Sequence, residues 1–169
     1  MAKEHTMTIT KRRIIVKTIL SAWLLGGTLD IATAAIYYPI KYDITLTLLF
    51  QNIASGVFGE SAFSGGIQMA ALGLGFHYCI AFIWTIVLFW AYPRIKMLSR
   101  NRFATGMAYG LVVWAVMNLV VLPLSNVIHS PFDIGQALLD AVILMFCIGL
   151  PNSLIVGRYY SKRGNSSIQ

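Results

Sequence analysis

Four polar side chains stand out in this chain because of where they fall. Asp30, His77, Asn118 and Asp140 each lie inside a separate long apolar stretch. Two carboxylates and an imidazole in a low dielectric perturb one another's protonation. Such a set can hold a shared proton, a cation or a polar group of a ligand. A charge in hydrocarbon costs several kcal/mol even on lenient scales, so each group must be paired, protonated or turned toward protein. The same residues have a second role open to them, which is to hydrogen-bond across helices and fix their packing. Asn118 suits that role best. A metal site needs three or four ligands in a defined geometry. Asp30, His77 and Asp140 supply three, but no ligand spacing accompanies them, so neither a metal nor a cofactor is expected.

The elements that carry these residues follow from composition. The chain has 169 residues, 57% hydrophobic and 11% charged. A soluble domain is nearer a quarter charged and lacks four apolar runs of about twenty residues. The expectation is an all-α polytopic membrane protein with spans at about 14–38, 67–92, 104–124 and 137–159. The flanks are a polar N-terminus (1–13) and a basic, Ser-rich, frayed tail (160–169). The run Lys11-Arg12-Arg13, the apolar stretch after it and Ala32-Thr33-Ala34 also fit a signal-peptide template. The length of the run and the presence of Asp30 favour a retained span.

The net charge of +7 does not point to nucleic acid, because the cations flank the spans. Five precede or open the first span (Lys3, Lys11, Arg12, Arg13, Lys17) and four lie in the link after the second (Arg94, Lys96, Arg100, Arg102). Three close the fourth (Arg158, Lys162, Arg163), whereas the two alternate links carry Lys41 and none. That asymmetry predicts both termini in the cytoplasm. Tyr37, Tyr38, Trp90, Tyr92, Tyr159 and Tyr160 near span ends suit interface belts.

Within the first span Gly26, Gly27 and Asp30 share a face by i, i+3, i+4 spacing, so a neighbouring helix can approach closely and shield the carboxylate. Pro39 is expected to close that span. Asp43 then reads as the N-cap of a short amphipathic outer helix, 43–59. Leu46, Leu49, Phe50, Ile53 and Val57 lie on one face, with Thr47, Gln51, Asn52 and Ser55 on the other. The segment 59–66 reads as a flexible link. In the third span Gly106-x-x-x-Gly110 marks a close-packing face continuing to Trp114 and Asn118, and Pro123 ends or kinks the helix. The fourth span is expected to break at Pro151-Asn152, with Asn152 or Ser153 re-satisfying the freed backbone. At a rise of about 1.5 Å per residue, Asp30 falls about 10–12 Å from the outer end of its helix, His77 about 14 Å, Asn118 about 9–10 Å and Asp140 about 5–9 Å. One polar residue from each span therefore reaches a similar depth. Inward-turned faces would make a four-residue cluster that Gln51 caps from outside.

No H-E-x-x-H, G-x-S-x-G or P-loop occurs. A b-type haem wants two axial ligands, and His77 has no second histidine within a span. Cys79 and Cys147 read as buried small hydrophobes. No enzyme is expected. The partners expected are the lipid bilayer and, since four helices leave little room for a pore, a second copy or another membrane protein.

Several phrases carry a family resemblance: Gln51-Asn-Ile-Ala-Ser-Gly, Gly65-Gly66, Gly75-Phe-His77, Tyr92-Pro-Arg-Ile-Lys96 and Met117-Asn-Leu-Val-Val-Leu-Pro123. Over roughly residues 51–155 the chain resembles a set of short, uncharacterised bacterial four-helix inner-membrane proteins. It is more distantly similar to the YagU family, which is described as linked to acid resistance. The resemblance implies a bacterial inner membrane and brings no catalytic residues with it.

Overall fold

The computed structural model describes residues 2–127 and 133–165. The helices are α1 (Ala2–Tyr42), α2 (Leu46–Phe58), α3 (Gly66–Ala91), α4 (Lys96–Arg100), α5 (Arg102–Val116), α6 (Leu122–Leu124), α7 (Ile134–Leu144) and α8 (Leu150–Asn165). A 3-10 turn (Gly59–Ser64) joins α2 to α3. π turns at Met117–Val121 and Met145–Gly149 join α5 to α6 and α7 to α8. Four continuous helical stretches are long and apolar enough to cross a membrane: Arg12–Tyr42, Gly66–Ala91, Arg102–Leu124 and Ile134–Lys162. The chain is a multi-pass membrane protein. Part of the cation-free link after α6 (128–132) and the Ser-rich end of the tail (166–169) lie outside the described residues.

The packing inverts that of a water-soluble bundle. Most fully buried positions are small or polar (Ala22, Ala54, Ser55, Thr85, Asn152, Ser153), with Leu88 and Val156 the large exceptions, whereas many large aliphatics such as Leu119, Leu124 and Ile67 face outward. Lipid solvates leucine as well as a protein core does, so association rests on close backbone approach and interhelical hydrogen bonds. Glycines supply the approach. A Cβ on Gly110 would lie 2.3 Å from Cα of Met145, and one on Gly149 would lie 2.1 Å from the Gly106 carbonyl. Gly26 faces Asn152, and Gly27 faces Ala81 and Tyr78.

The end of the bundle that carries both termini is held by aromatic contacts. Tyr92 stacks on Tyr160 at 5.5 Å, and the Tyr160 hydroxyl donates to the Phe89 carbonyl. Tyr92 and Tyr159 are buried there instead of forming an interface belt, because α3 and α8 run side by side to this end. Trp90 does face outward, with the Arg94 guanidinium 3.8 Å from its ring.

Several local expectations are corrected. α1 does not stop at Pro39 but runs on to Tyr42. Its last turn is tied down by Lys41 and Tyr42, both of which donate to the Gln136 side-chain oxygen. The helix after it begins at Leu46. Asp43 sits at φ 51 in the left-handed region that Asp tolerates, and extended Thr45 is the cap, accepting from Leu48 N at 3.2 Å. α2 packs a mixed face inward. Gln51 and Ser55 are buried with Leu49 and Ala54, while Leu46 and Val57 are exposed. The reason is Gly73 of α3, which lets the α2 backbone approach so closely that a Cβ there would lie 1.8 Å from the Phe50 carbonyl oxygen. The link 59–66 is a 3-10 turn between two positive-φ glycines, Gly59 and Gly66.

The fourth span continues rather than breaks, with a π turn before Pro151. Pro151 removes the donor that would bond Cys147, and the π turn 145–149 absorbs the misfit, with Leu150 N donating to Met145 O. Pro123 stands in the same relation to the π turn 117–121, where Leu122 N donates to Met117 O. Cys79 is exposed on the outside of the bundle, and Cys147 is part-buried against Thr33.

Candidate functional site

α1 and α3 cross where Gly27 meets Tyr78 and Ala81. Trp23 Nε1 donates to the Tyr78 carbonyl at 2.8 Å, and the Thr28 and Tyr78 hydroxyls meet at 3.0 Å, which fixes the rotation of both helices. That rotation brings His77 onto α1. Its Nε2 lies 2.9 Å from the Gly27 carbonyl, and its Nδ1 lies 4.0 Å from Asp30 Oδ2. Both side chains are mostly shielded, at 12% and 20% exposure.

This geometry fixes the tautomer. A carbonyl only accepts, so Nε2 carries the hydrogen and Nδ1 faces the carboxyl with its lone pair or with a second proton. The pair is neutral whether one proton sits on Nδ1, giving imidazolium and carboxylate, or on Asp30. Losing that proton leaves a bare charge between two helices. Attraction of unit charges at 4 Å is about 4 kcal/mol at an effective dielectric near 20. A lone Asp in mid-span costs about 3 kcal/mol. His77 therefore offsets part of the cost of Asp30, and a proton on Asp30 removes the charge altogether.

Asp140 approaches from α7, close enough for its charge to act on Asp30. It has two donors of its own: the Tyr38 hydroxyl at 2.9 Å and Gln136 Nε2 at 2.7 Å. The Gln136 oxygen in turn accepts from Tyr37 at 3.0 Å, from Lys41 and from Tyr42. A continuous polar line therefore runs from the far end of the bundle, opposite the termini, at Lys41. It passes through Gln136 and ends at Asp140, whose charge acts on Asp30. The Gln136 amide has only one orientation that satisfies both neighbours, because ammonium only donates and carboxylate only accepts.

The structure thus brings together three of the four residues singled out by sequence. Asn118 is not among them. Its Nδ2 donates to the Trp114 carbonyl of its own helix at 3.0 Å, at the edge of the π turn. Gln51 does not cap the set either; its Nε2 bonds the Gly66 carbonyl at 3.0 Å. Gly26, Gly27, Gly106 and Gly110 all lie at helix crossings. Among the described residues no group of three or more His, Cys, Asp or Glu side chains is arranged to hold a metal ion.

Tyr38, Lys41 and Gln136 were missed as members of the site. Asp30, Thr33, Tyr37 and Lys41 recur at helical spacing along one stripe of α1, and Gln136 and Asp140 are an i, i+4 pair. Read together, those spacings were the available signal. Asn152 was also undervalued. It is fully buried, accepts from Thr85 Oγ1 at 3.3 Å, and anchors three helices together with Gly26. Comparison with protein families, with curated proteins and with solved structures finds no match to this chain.

Proposed function

We propose that this protein works in a bacterial inner membrane, with both termini in the cytoplasm, and that it binds and exchanges a proton or another small cation at the Asp30–His77–Asp140 set. A role in acid tolerance fits a site reached from outside. The observation that carries the reading is the 4.0 Å separation of a carboxylate and an imidazole on adjacent spans, with the imidazole's other nitrogen already committed to a carbonyl. Ionisable groups inside a membrane bundle mark ion and proton pathways more often than packing. The orientation is supported by the cation count on alternate links. The 13-residue helix α2, whose Leu46, Val57 and Phe58 are exposed, suits a helix lying at the outer interface.

The test is flux. Wild type and Asp30→Asn are reconstituted into liposomes that enclose a pH-sensitive dye, and the outside is acidified. Faster internal acidification in wild type, lost in the variant, is the expected result. Equal rates with both proteins folded remove the proton reading, and parallel sodium and potassium gradients test the other cations.

A second reading has its own observation. The glycine crossings and the buried Asn152–Thr85 bond are what a purely structural or partner-binding subunit would need. Under that reading Asp30→Asn lowers the melting temperature in detergent sharply and leaves flux unchanged.

A further inference from the structure

The fourth span is built in two unequal halves. From Pro151 onward it is densely packed: Asn152, Ser153, Val156 and Tyr159 are buried, and Gly157 lies against Tyr92 and Arg102. Before that point α7 buries only Ala141, while Ile134, Leu138 and Val142 are exposed. Between the halves lies the π turn Met145–Gly149. Pro151 has no N–H to offer this turn, so the joint lacks a backbone bond that stiffens an ordinary helix. Gly110 of α5 pins the joint from one side, at Leu144 and Met145. A lightly packed arm on a pinned joint of this kind has the build of a hinge.

Side-chain hydrogen bonds hold the arm at its far end. Asp140 Oδ1 accepts from the Tyr38 hydroxyl at 2.9 Å and from Gln136 Nε2 at 2.7 Å. The Gln136 oxygen accepts from Tyr37, Lys41 and Tyr42. Tyr37, Tyr38, Lys41 and Tyr42 all belong to the last turns of α1, so these bonds form one latch between two helix ends. The Lys41 ammonium is also near enough for its charge to act on Asp140.

We infer that α7 is a latched arm that turns about the 145–149 joint, held against α1 while Asp140 is ionised and released when Asp140 takes a proton. Hydrogen bonds to a carboxylate are about twice as strong as those to a neutral acceptor. Protonation leaves both donors in place, weakens both bonds and ends the attraction to Lys41. Two bonds that each fall to about half their strength raise the released fraction on the order of tenfold. The other titratable groups on this face are Tyr38, Lys41 and Asp30 from α1, with Tyr37 and Tyr42 behind Gln136 and His77 behind Asp30. Asp133 opens α7, and Cys147 sits in the joint. The part of α5 and α6 beside the arm, 111–124, carries none. The inference concerns motion and not what crosses the membrane, so it and the flux result can each fail alone.

Spin labels read the motion as distances in the full chain in lipid nanodiscs. Cys79→Ala and Cys147→Ala remove the native thiols, which also removes Cys147 as a titrating group. One labelled pair, Ile67→Cys with Leu138→Cys, links the start of α3 to the arm. A second pair, Ile83→Cys with Leu154→Cys, links α3 to the packed half, and all four positions are exposed. A titration from about pH 8 to about pH 3.5 brackets the ordinary Asp value of about 3.9. The arm pair is expected to gain a second distance at low pH while the inner pair keeps one. Asp140→Asn is expected to show the second distance throughout, with no pH dependence. Tyr38→Phe raises its share at the alkaline end, and Asp30→Asn and Asp133→Asn keep the transition. An arm pair with one distance at every pH overturns the inference. So does a transition that survives Asp140→Asn, or one that the inner pair shares, since the whole bundle then responds.

Discussion

Gly110→Ala measures how far this bundle depends on backbone contact. The added Cβ would meet Cα of Met145 at 2.3 Å and the Leu144 carbonyl at 2.7 Å, both backbone atoms that no rotamer change can move. Restoring an ordinary contact of about 3.6 Å parts α5 from the π turn at 145–149 by more than about 1 Å. A gap of about 0.5–1 Å forfeits a quarter to a half of the attraction of each atom pair, and each pair contributes about 0.1–0.2 kcal/mol. Over on the order of thirty pairs along the crossing the loss is about 1–2 kcal/mol, inside the usual range for overpacking. Replacing a helical glycine by alanine also gains about 0.5–1 kcal/mol of helix propensity, so a control is needed. Gly75 supplies it, since it is helical and nothing lies within 4 Å of its would-be Cβ. Thermal unfolding in one detergent, followed by circular dichroism, should show Gly75→Ala at or above wild type and Gly110→Ala clearly below it. If the two variants shift alike, the close crossing is not a source of stability and the packing argument fails.

Other consequences are as direct. Asn101 caps α5 by accepting from Phe103 N at 3.0 Å and Ala104 N at 3.2 Å, so Asn101→Ala should cost about 1 kcal/mol in the same melt and Asn101→Asp almost nothing. Asn152→Ala removes the interhelical contact of Thr85, whose hydroxyl keeps the Ala81 carbonyl at 2.9 Å, and opens a void against Gly26. A loss of about 1–3 kcal/mol is expected, and Thr85→Val should lose less. Asp133 caps α7 just outside the fourth span, and the backbone N–H groups of Gln136 and Gly135 hold its carboxyl below the ordinary 3.8. A carboxyl depressed in the folded state contributes stability that is full above the unfolded value and disappears as pH falls through the folded one. Amide exchange at the start of α7 should therefore rise below about pH 4. Asp133→Asn should keep the cap and abolish that pH dependence.

The spans were legible because an apolar run of twenty residues has few other uses. Asp30, His77 and Asp140 were legible because a charge inside such a run is costly. What escaped depends on neighbours that a single sequence does not place. Pro39 does not end α1 because Gln136, almost a hundred residues on, holds the following turn. The inward face of α2 was not legible, because the rule that apolar residues point inward belongs to water. Against Gly73 the small and polar residues pack inward, and leucine and valine can face lipid. Asn118 lies within the π turn and spends its amide on the Trp114 carbonyl of its own helix, a contact that depth along the span does not show. The Tyr38 and Gln136 contacts to Asp140 were hidden because each lies near a span end, where tyrosine and glutamine usually mean an interface.

The central claim is that His77 and Asp30 hold one exchangeable proton between them. Nitrogen-15 spectra of histidine-labelled protein test it, with the His77 signals identified by their loss in His77→Gln. The expected result is a His77 protonated on Nε2, fixed by the Gly27 carbonyl, with an Nδ1 signal that Asp30→Asn changes. A neutral His77 protonated on Nδ1, or an Nδ1 signal indifferent to Asp30→Asn, would contradict it.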